Sequence, residues 1–413
     1  MAVVIRGATL IDGTGANPSV DQAVIIEDKQ ITWVGPTAAL QVPPDSETIE
    51  AQGKTLMPGI IDCHSHMIAY EYNLEKRVTT PASLTILRSL ANLKLTLEGG
   101  VTTLRDAGGC DVGFKVAIEQ GLAVGPRLVV SVVPLTQTGG LFDLPLLSGA
   151  KVDLGGMTPS VRLFCGGVDN LRQITRRLLL EGADWIKMST TGSVYTFPGK
   201  LPSPQFTLDE ISAVTYEAHA AGKKTMAHCE GGPGLKNSVL GGIDSIEHGF
   251  YLSDDDVRLM KERGTYLVPT LNCNYGILKV MKRDPKADIH EQSVRVAKDL
   301  IADHARSFAR AAEAGVKIAM GSDSFGRDQG DNLVELELMV NAGLSPMDAI
   351  KAATSGAAEL LGEEGRLGTV ARGKTADLLL VDGNPLSDIT VLQDRERLKL
   401  IMKDGVIFKN SLN

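Results

Sequence analysis

The chain has 413 residues, 43% hydrophobic and 22% charged, a composition with room for one large core or two to three smaller ones, which excludes a disordered chain. Its 42 basic and 50 acidic residues give a net charge of -8 and are interspersed, so no basic block gathers to neutralise phosphates and no nucleic-acid partner is expected. No apolar run approaches the ~20 residues of a membrane span and no basic-then-apolar leader opens the sequence, so the expectation is a soluble, uncleaved, cytoplasmic chain without a membrane partner.

The first 56 residues carry short alternating runs, Val3 to Ile5, Ala23 to Ile26 and Ile31 to Val34, separated by turn text such as Asp12-Gly13-Thr14-Gly15, and read as antiparallel strands. From residue 57 the pattern changes to short apolar runs alternating with longer helical ones, the signature of parallel strands with crossover helices. Eight strands are predicted: Leu56 to Cys63, Val101 to Asp106, Arg127 to Val133, Trp185 to Ser189, Thr225 to Glu230, Ser245 to His248, Tyr266 to Leu271 and Lys317 to Ser322. Helices are predicted over Leu84 to Leu97, Val168 to Leu180, Leu208 to Ala220, Val257 to Arg263, Gln292 to Glu313 and Met347 to Leu361. Eight such repeats point to an α/β fold, a (β/α)8 TIM barrel, with its chemistry at the C-terminal strand ends. The last residues return to strands at Ala376 to Val381 and Leu398 to Met402, with an Asp404-Gly405 hairpin turn before Val406 to Phe408. Neither end builds much core alone, so residues 1–56 and 365–413 are expected to combine as one small β domain beside a barrel at 57–364.

The cysteines, Cys63, Cys110, Cys165, Cys229 and Cys273, are odd in number and lack CxxC spacing, which reads as reduced thiols and not as a disulfide framework or cysteine-zinc site. Four histidines fall at predicted strand ends: His64 and His66 after the first, His228 in the fifth, His248 in the sixth. Residues two apart share a strand face, so His64 and His66 point together into the barrel mouth; an HxH pair alone equally fits two hydrogen-bonded structural histidines. Asp323 ends the eighth apolar run, where helix N-capping is the competing role. Lys187 lies inside the apolar run Trp185-Ile186-Lys187-Met188, where its ammonium is costly to desolvate unless Asp184 or Glu181 pairs with it. Imidazole and carboxylate donors gathered at one end suit divalent transition metals such as zinc, and this many ligands suffice for two ions. His219, His290 and His304 lie in helical text and read as surface or packing residues. Cys63 and Cys229 adjoin metal-ligand candidates, but alternation turns them to the opposite face.

Leu56-Met57-Pro58-Gly59-Ile60-Ile61-Asp62-Cys63-His64-Ser65-His66, Gly100-Val101-Thr102-Thr103-Leu104-Arg105-Asp106, Ala183-Asp184-Trp185-Ile186-Lys187, Ile246-Glu247-His248-Gly249 and Gly321-Ser322-Asp323 together make the chain resemble the amidohydrolase superfamily. The resemblance runs end to end and is to the subgroup of imidazolonepropionase-like and Xaa-Pro dipeptidase-like hydrolases, with the tail from Gly365 to Leu378 similar to the family's return into its β-sandwich. It implies a binuclear site, usually zinc, with Lys187 carboxylated so that its carbamate bridges both ions. It also implies that His64, His66 and Asp323 hold the first ion and His228 and His248 the second, with a bridging hydroxide as nucleophile and Asp323 as proton carrier. Lys187 argues against imidazolonepropionase activity itself, which uses one metal and lacks this lysine.

Relatives that read Thr-Gly-Gly-His after the third strand have a counterpart here in Thr138-Gly139-Gly140-Leu141, and Ser-Gly-Gly becomes Thr191-Gly192-Ser193. The loss of that histidine weakens the case for binding a free α-carboxylate and favours a more apolar substrate. Leu141, Tyr195, Phe197, Tyr251, Asn272 and Tyr275 sit in predicted loops at the mouth as candidate substrate contacts. The expected function is therefore hydrolysis of a C–N bond in a small amide: a dipeptide, an N-acyl amino acid, or a xenobiotic amide or carbamate, in a peptidase- or carboxypeptidase-like reaction. Esterase, lactonase or phosphotriesterase chemistry on the same site is the alternative, and a metal-free, non-catalytic scaffold is a further one. A homo-oligomer is expected by the same resemblance.

Overall fold

The computed structural model describes residues 2–68, 76, 79–141, 164–193, 203–287, 289, 291–325 and 329–412. The chain opens with β1 (Val3–Leu10), β2 (Ser19–Glu27), β3 (Gln30–Pro36), β4 (Glu47–Glu50) and β5 (Thr55–Pro58). There follow β6 (Ile60–Ser65), β7 (Val101–Asp106), β8 (Arg127–Val130), β9 (Trp185–Ser189), β10 (Lys224–Gly231), β11 (Ser245–Tyr251) and β12 (Tyr266–Val268), with helices between them, and the chain closes on β13 (Leu378–Val381), β14 (Leu398–Lys403) and β15 (Val406–Asn410). The architecture is α/β with parallel and mixed sheets.

Both chain ends enter one mixed eight-stranded sheet in the order β15-β14-β13-β5-β1-β2-β3, with β4 on β1. The join is antiparallel between β5 and β13, Leu56 opposite Leu380. Its inner face buries Ile5, Val24, Ile31, Leu56, Leu378, Leu380, Leu400 and Met402 as one apolar cluster. Arg127, at the start of β8, ties this sheet to its neighbour by ion pairs to Asp377 (2.6 Å) and Asp404 (2.5 Å).

β6, β7 and β8 form a parallel sheet, and β9 to β12 form another. Their strands are buried almost throughout, as expected of strands with both faces covered. Leu135 bridges Met188 between the two sheets, Ile318 bridges Leu267, and Ser324 bridges Ser65. Main-chain hydrogen bonds reinforce these contacts: Leu267 N to Lys317 O (2.8 Å), Cys63 N to Met320 O (2.9 Å) and Asp323 N to His64 O (2.7 Å). The segment expected as an eighth strand is thus held on both flanks, although among the described residues it forms isolated bridges and no continuous ladder.

Local chemistry explains two departures from the periodicity. The apolar run Leu56 to Cys63 is two strands in two sheets, broken at Gly59, where a Cβ would lie 2.3 Å from the Thr102 hydroxyl. The helix expected over Met347 to Leu361 is two helices, Pro346–Ala352 and Ser355–Leu361, separated at Thr354 with φ -131 and ψ -96. Elsewhere end signals match the elements. Thr207 and Glu210 make a capping box for helix Leu208–Ala220, and Ser253 with Asp256 makes one for Asp254–Arg263.

Candidate active site

The C-terminal ends of β6, β10 and β11 and the segment after Ile318 deliver their polar side chains to one place. His64 lies within β6 and His66 just past it, His228 within β10, His248 within β11, and Asp323 one residue before the Ser65–Ser324 bridge. Ring centroids lie 5.4 Å apart for His64 and His66, 5.1 Å for His64 and His248, and 4.6 Å for His228 and His248. Asp323 Oδ1 is 3.5 Å from Nε2 of both His64 and His66, and its Oδ2 is 4.0 Å from His248 Nδ1.

These donors meet the requirements of a metal site. One ligand atom from each of His64, His248 and Asp323 falls within 4.8 Å of the others. Among the described residues His64 Nε2 and His228 Nε2 are buried without a hydrogen-bond partner, a costly condition for an imidazole nitrogen and one that a cation relieves. Burial, followed by the charge of Lys187, holds His64 well below the usual histidine pKa; burial, then His228, does the same for His248. Both rings are therefore kept neutral, the form that ligates. His248 lies close to His228 on one side and to His64 and Asp323 on the other, so the donors form one continuous cluster.

Lys187, on β9, is 2% exposed. Burial lowers its pKa from 10.5 to about 8, opposed chiefly by Glu247 and Asp323. The acids nearest in sequence are engaged elsewhere, Asp184 with Lys115 (3.0 Å) and Lys223 (3.4 Å), and Glu181 with Arg177 (2.7 Å). Asp323 has φ +49 and precedes no helix within the described stretch to residue 325, so helix capping is not its role there.

Around the donors stand residues that sequence reasoning left without a role. His64 Nδ1 lies 2.5 Å from Glu247 Oε2, His66 Nδ1 is 2.9 Å from Gly108 O, and His248 Nδ1 is 2.7 Å from Thr270 Oγ1. Asp62 accepts from the main-chain N–H groups of His64 and Ser322 and from the Ser322 hydroxyl, fastening the two strand ends together. Arg105 and Glu247 are fully buried. The available signal was a full charge inside an apolar strand run, the same signal that singled out Lys187. His304 is buried, as one of its two expected roles required: its ring contacts Phe250 and its Nε2 lies 3.1 Å from His248 O. Cys63 and Cys229 lie in apolar clusters, and burial pushes both thiols up to about 12.

Of the candidate substrate contacts, Tyr195 and Phe197 lie outside the described residues. Leu141 is half-buried, its N–H donating to Gln205 Oε1 (3.3 Å), and Tyr251 is half-buried at the end of β11. Asn272 and Tyr275 belong to helix Asn272–Arg283 and not to a loop. Asn272 is 1% exposed and spends its amide on Ser322 O and Ser324 Oγ, both 3.3 Å away, whereas Tyr275 is 39% exposed.

Residues 55–408 match the sequence profile of the Amidohydrolase family. Ochratoxinase of Aspergillus niger is 29% identical over 425 residues, covering 98% of this chain and 86% of that protein. Among solved structures, a prolidase complexed with N-methylphosphonate-L-proline matches with a TM-score of 0.91 at 32% identity, covering 99% of this chain and 100% of the other. A Xaa-Pro dipeptidase with methionine bound in its active site matches with a TM-score of 0.88 at 29% identity, covering 99% and 100%.

Proposed function

This chain belongs to the amidohydrolase family and is a hydrolase acting on carbon–nitrogen bonds, and from that premise we propose that it cleaves small amides at a binuclear metal centre. The observation that carries the proposal is the convergence of His64, His66, His228, His248 and Asp323 beside a buried Lys187, with two imidazole nitrogens left without hydrogen-bond partners among the described residues. The same reading takes the linked parallel sheets as a (β/α)8 barrel and the sheet shared by the chain ends as a β-sandwich; the bridges at Leu135, Ile318 and Ser324 support the first.

His64, His66, His228, His248 and Asp323 would hold the ions, and a carboxylated Lys187 would add its carbamate oxygens to that ligand set. Divalent ions, zinc first among them, supply Lewis acidity when bound, acidifying water and polarising the scissile carbonyl. Asp323 receives the proton of the attacking water and returns it to the leaving nitrogen, a role its carboxylate is placed for at the centre of the histidines. Glu247, Gly108 O and Thr270 hold the rings in place while this occurs. The substrate is a dipeptide, an N-acyl amino acid or an apolar amide or carbamate. Ochratoxinase and prolidase among the relatives support this range, and Leu141, an apolar residue where the family resemblance implies a histidine, inclines it toward apolar groups.

The test is purified protein supplied with zinc and bicarbonate, analysed for bound metal and assayed on Xaa-Pro dipeptides, N-acyl amino acids and aryl amides, beside the Lys187→Ala variant. The expected result is about two metal equivalents and C–N cleavage in the wild type, with both lost in the variant and partly restored by short carboxylic acids. Metal below about one equivalent without cleavage overturns the proposal. Full activity in Lys187→Ala overturns the bridging role alone.

A further inference from the structure

We infer that Glu247 and Arg105 act together as positioning residues, fixing His64 in the tautomer that carries its proton on Nδ1 and presents a bare Nε2 to the metal centre. The inference deepens the metal-centre reading and rests on it for its functional meaning.

Glu247 is one residue before His248 on β11, yet its carboxylate turns toward His64 and reaches Nδ1 at 2.5 Å. Both oxygens of Glu247 already accept from Arg105, and Oε1 accepts from Ser245 as well, so the acid sits in this contact as an acceptor and the proton is carried by the imidazole nitrogen. A neutral ring has one such proton, which leaves Nε2 as a lone pair, and Nε2 is the atom found buried, without a hydrogen-bond partner, 3.5 Å from Asp323 Oδ1.

The carboxylate is itself held. Arg105 Nη2 donates to Glu247 Oε1 at 2.8 Å and Oε2 at 3.0 Å, and Ser245 Oγ donates to Oε1 at 2.5 Å while accepting from Arg105 Nη1 at 3.1 Å. Arg105 also donates through Nε to Cys63 O at 2.5 Å, so it grips the main chain next to His64 as well as the acid that orients its ring. Its guanidinium lies 4.4 Å from the Trp185 ring centroid, two residues before Lys187. Arginine suits this place because its planar fork satisfies carboxylate, hydroxyl and carbonyl at once, whereas lysine offers no such geometry. His66 is aimed by a neutral carbonyl, Gly108 O, and His248 by a hydroxyl, Thr270 Oγ1, so His64 has the strongest and most directional of the three orienting contacts.

Two variants test the assignment, Glu247→Gln and the double variant Arg105→Met with Glu247→Leu. The second replaces a buried pair by apolar groups of similar size and leaves no unpaired charge. The primary readout is 15N NMR of histidine-labelled, metal-stripped protein, which reports the His64 tautomer without metal or turnover. Wild type is expected to show one tautomer, protonated on Nδ1, and the double variant a mixture of both. Metal affinity, measured by chelator competition, is expected to fall roughly 10- to 100-fold in the double variant. In Glu247→Gln the acceptor survives, so a partial effect on both readouts is expected. Should either variant fail to fold, the other is read alone. A His64 ring protonated on Nε2 in wild type, or a single Nδ1 tautomer retained in every folded variant, overturns the inference. A wild type that shows the Nδ1 tautomer but binds no metal overturns the metal-centre reading instead, so the two failures are distinguishable.

Discussion

The carboxylation proposed for Lys187 needs an uncharged amine at the moment it meets carbon dioxide, and burial favours one. Its pKa is lowered from 10.5 to about 8, so at pH 7 the free-amine fraction is about 9%, against about 0.03% for an ordinary lysine, roughly a 300-fold gain in nucleophile. With metal stripped, dissolved carbon dioxide held constant and the carbon labelled with 13C, the carbamate signal is expected to appear at a rate that rises with pH and levels off above about 8. The Lys187→Ala variant should give no such signal. The same displacement governs stability of the metal-free chain in the absence of carbon dioxide. Between about pH 8 and 10.5 the unfolded lysine still binds a proton that the folded one has released, so stability rises with pH across that window; below it both forms are protonated and the group adds no slope. A half-maximal rate near pH 10.5, or an equal carbamate signal without Lys187, refutes the reasoning.

Asp323→Asn removes the carboxylate proposed as proton carrier, 3.5 Å from the Nε2 atoms of His64 and His66; steady-state kinetics are expected to show kcat down by about 10²- to 10⁴-fold with a much smaller change in KM, and an unchanged kcat removes Asp323 from proton transfer. Gly321→Ala would place a Cβ 2.3 Å from Val268 Cγ1, 2.8 Å from His64 Cβ and 3.0 Å from His64 N. Its expected cost is about 1–3 kcal/mol with reduced metal uptake, read by urea denaturation and metal analysis; wild-type values for both would show slack at that strand end. Arg127→Met leaves Asp377, 7% exposed, without its cation, and is expected to cost about 3–5 kcal/mol in denaturation while turnover per folded molecule is kept. A loss below about 1 kcal/mol would class the pair with exposed salt bridges.

The clustering of the candidate donors was legible in the sequence because it follows from one-dimensional rules. Alternation places His64 and His66 on one face, and an apolar run ending in an acid marks Asp323. The supporting residues obey no such rule. Glu247 adjoins His248 and by alternation points away from it, and only the position of β6 across the sheet end shows that it is aimed at His64. Asn272 and Tyr275 read as loop residues because the short strand β12 ends at Val268 and the helix beginning at Asn272 has a leucine, not a capping side chain, at its N-cap. The break at Gly59 depends on Thr102, far along the chain and unknowable from local pattern.

Backbone strain explains why this support is so extensive. His248 and Asp323 have φ +77 and +49, conformations that cost a non-glycine residue of order 1–3 kcal/mol and persist only where the surroundings over-determine them. Helix Glu291–Glu313 does so for His248 through side chains spaced i, i+3 and i+6. His304 Nε2 donates to His248 O at 3.1 Å, Ser307 Oγ to Gly249 O at 2.6 Å, and Arg310 to Leu252 O at 3.0 Å. Burial lowers the His304 pKa to about 4, which keeps the ring neutral, able to donate from Nε2 while Nδ1 accepts from Asn274. For Asp323 the equivalent restraint is its own N–H on His64 O, with Asp62 and Asn332 binding the Ser322 hydroxyl just before it. Each strained residue is thus clamped by hydrogen bonds to the main chain at or beside it.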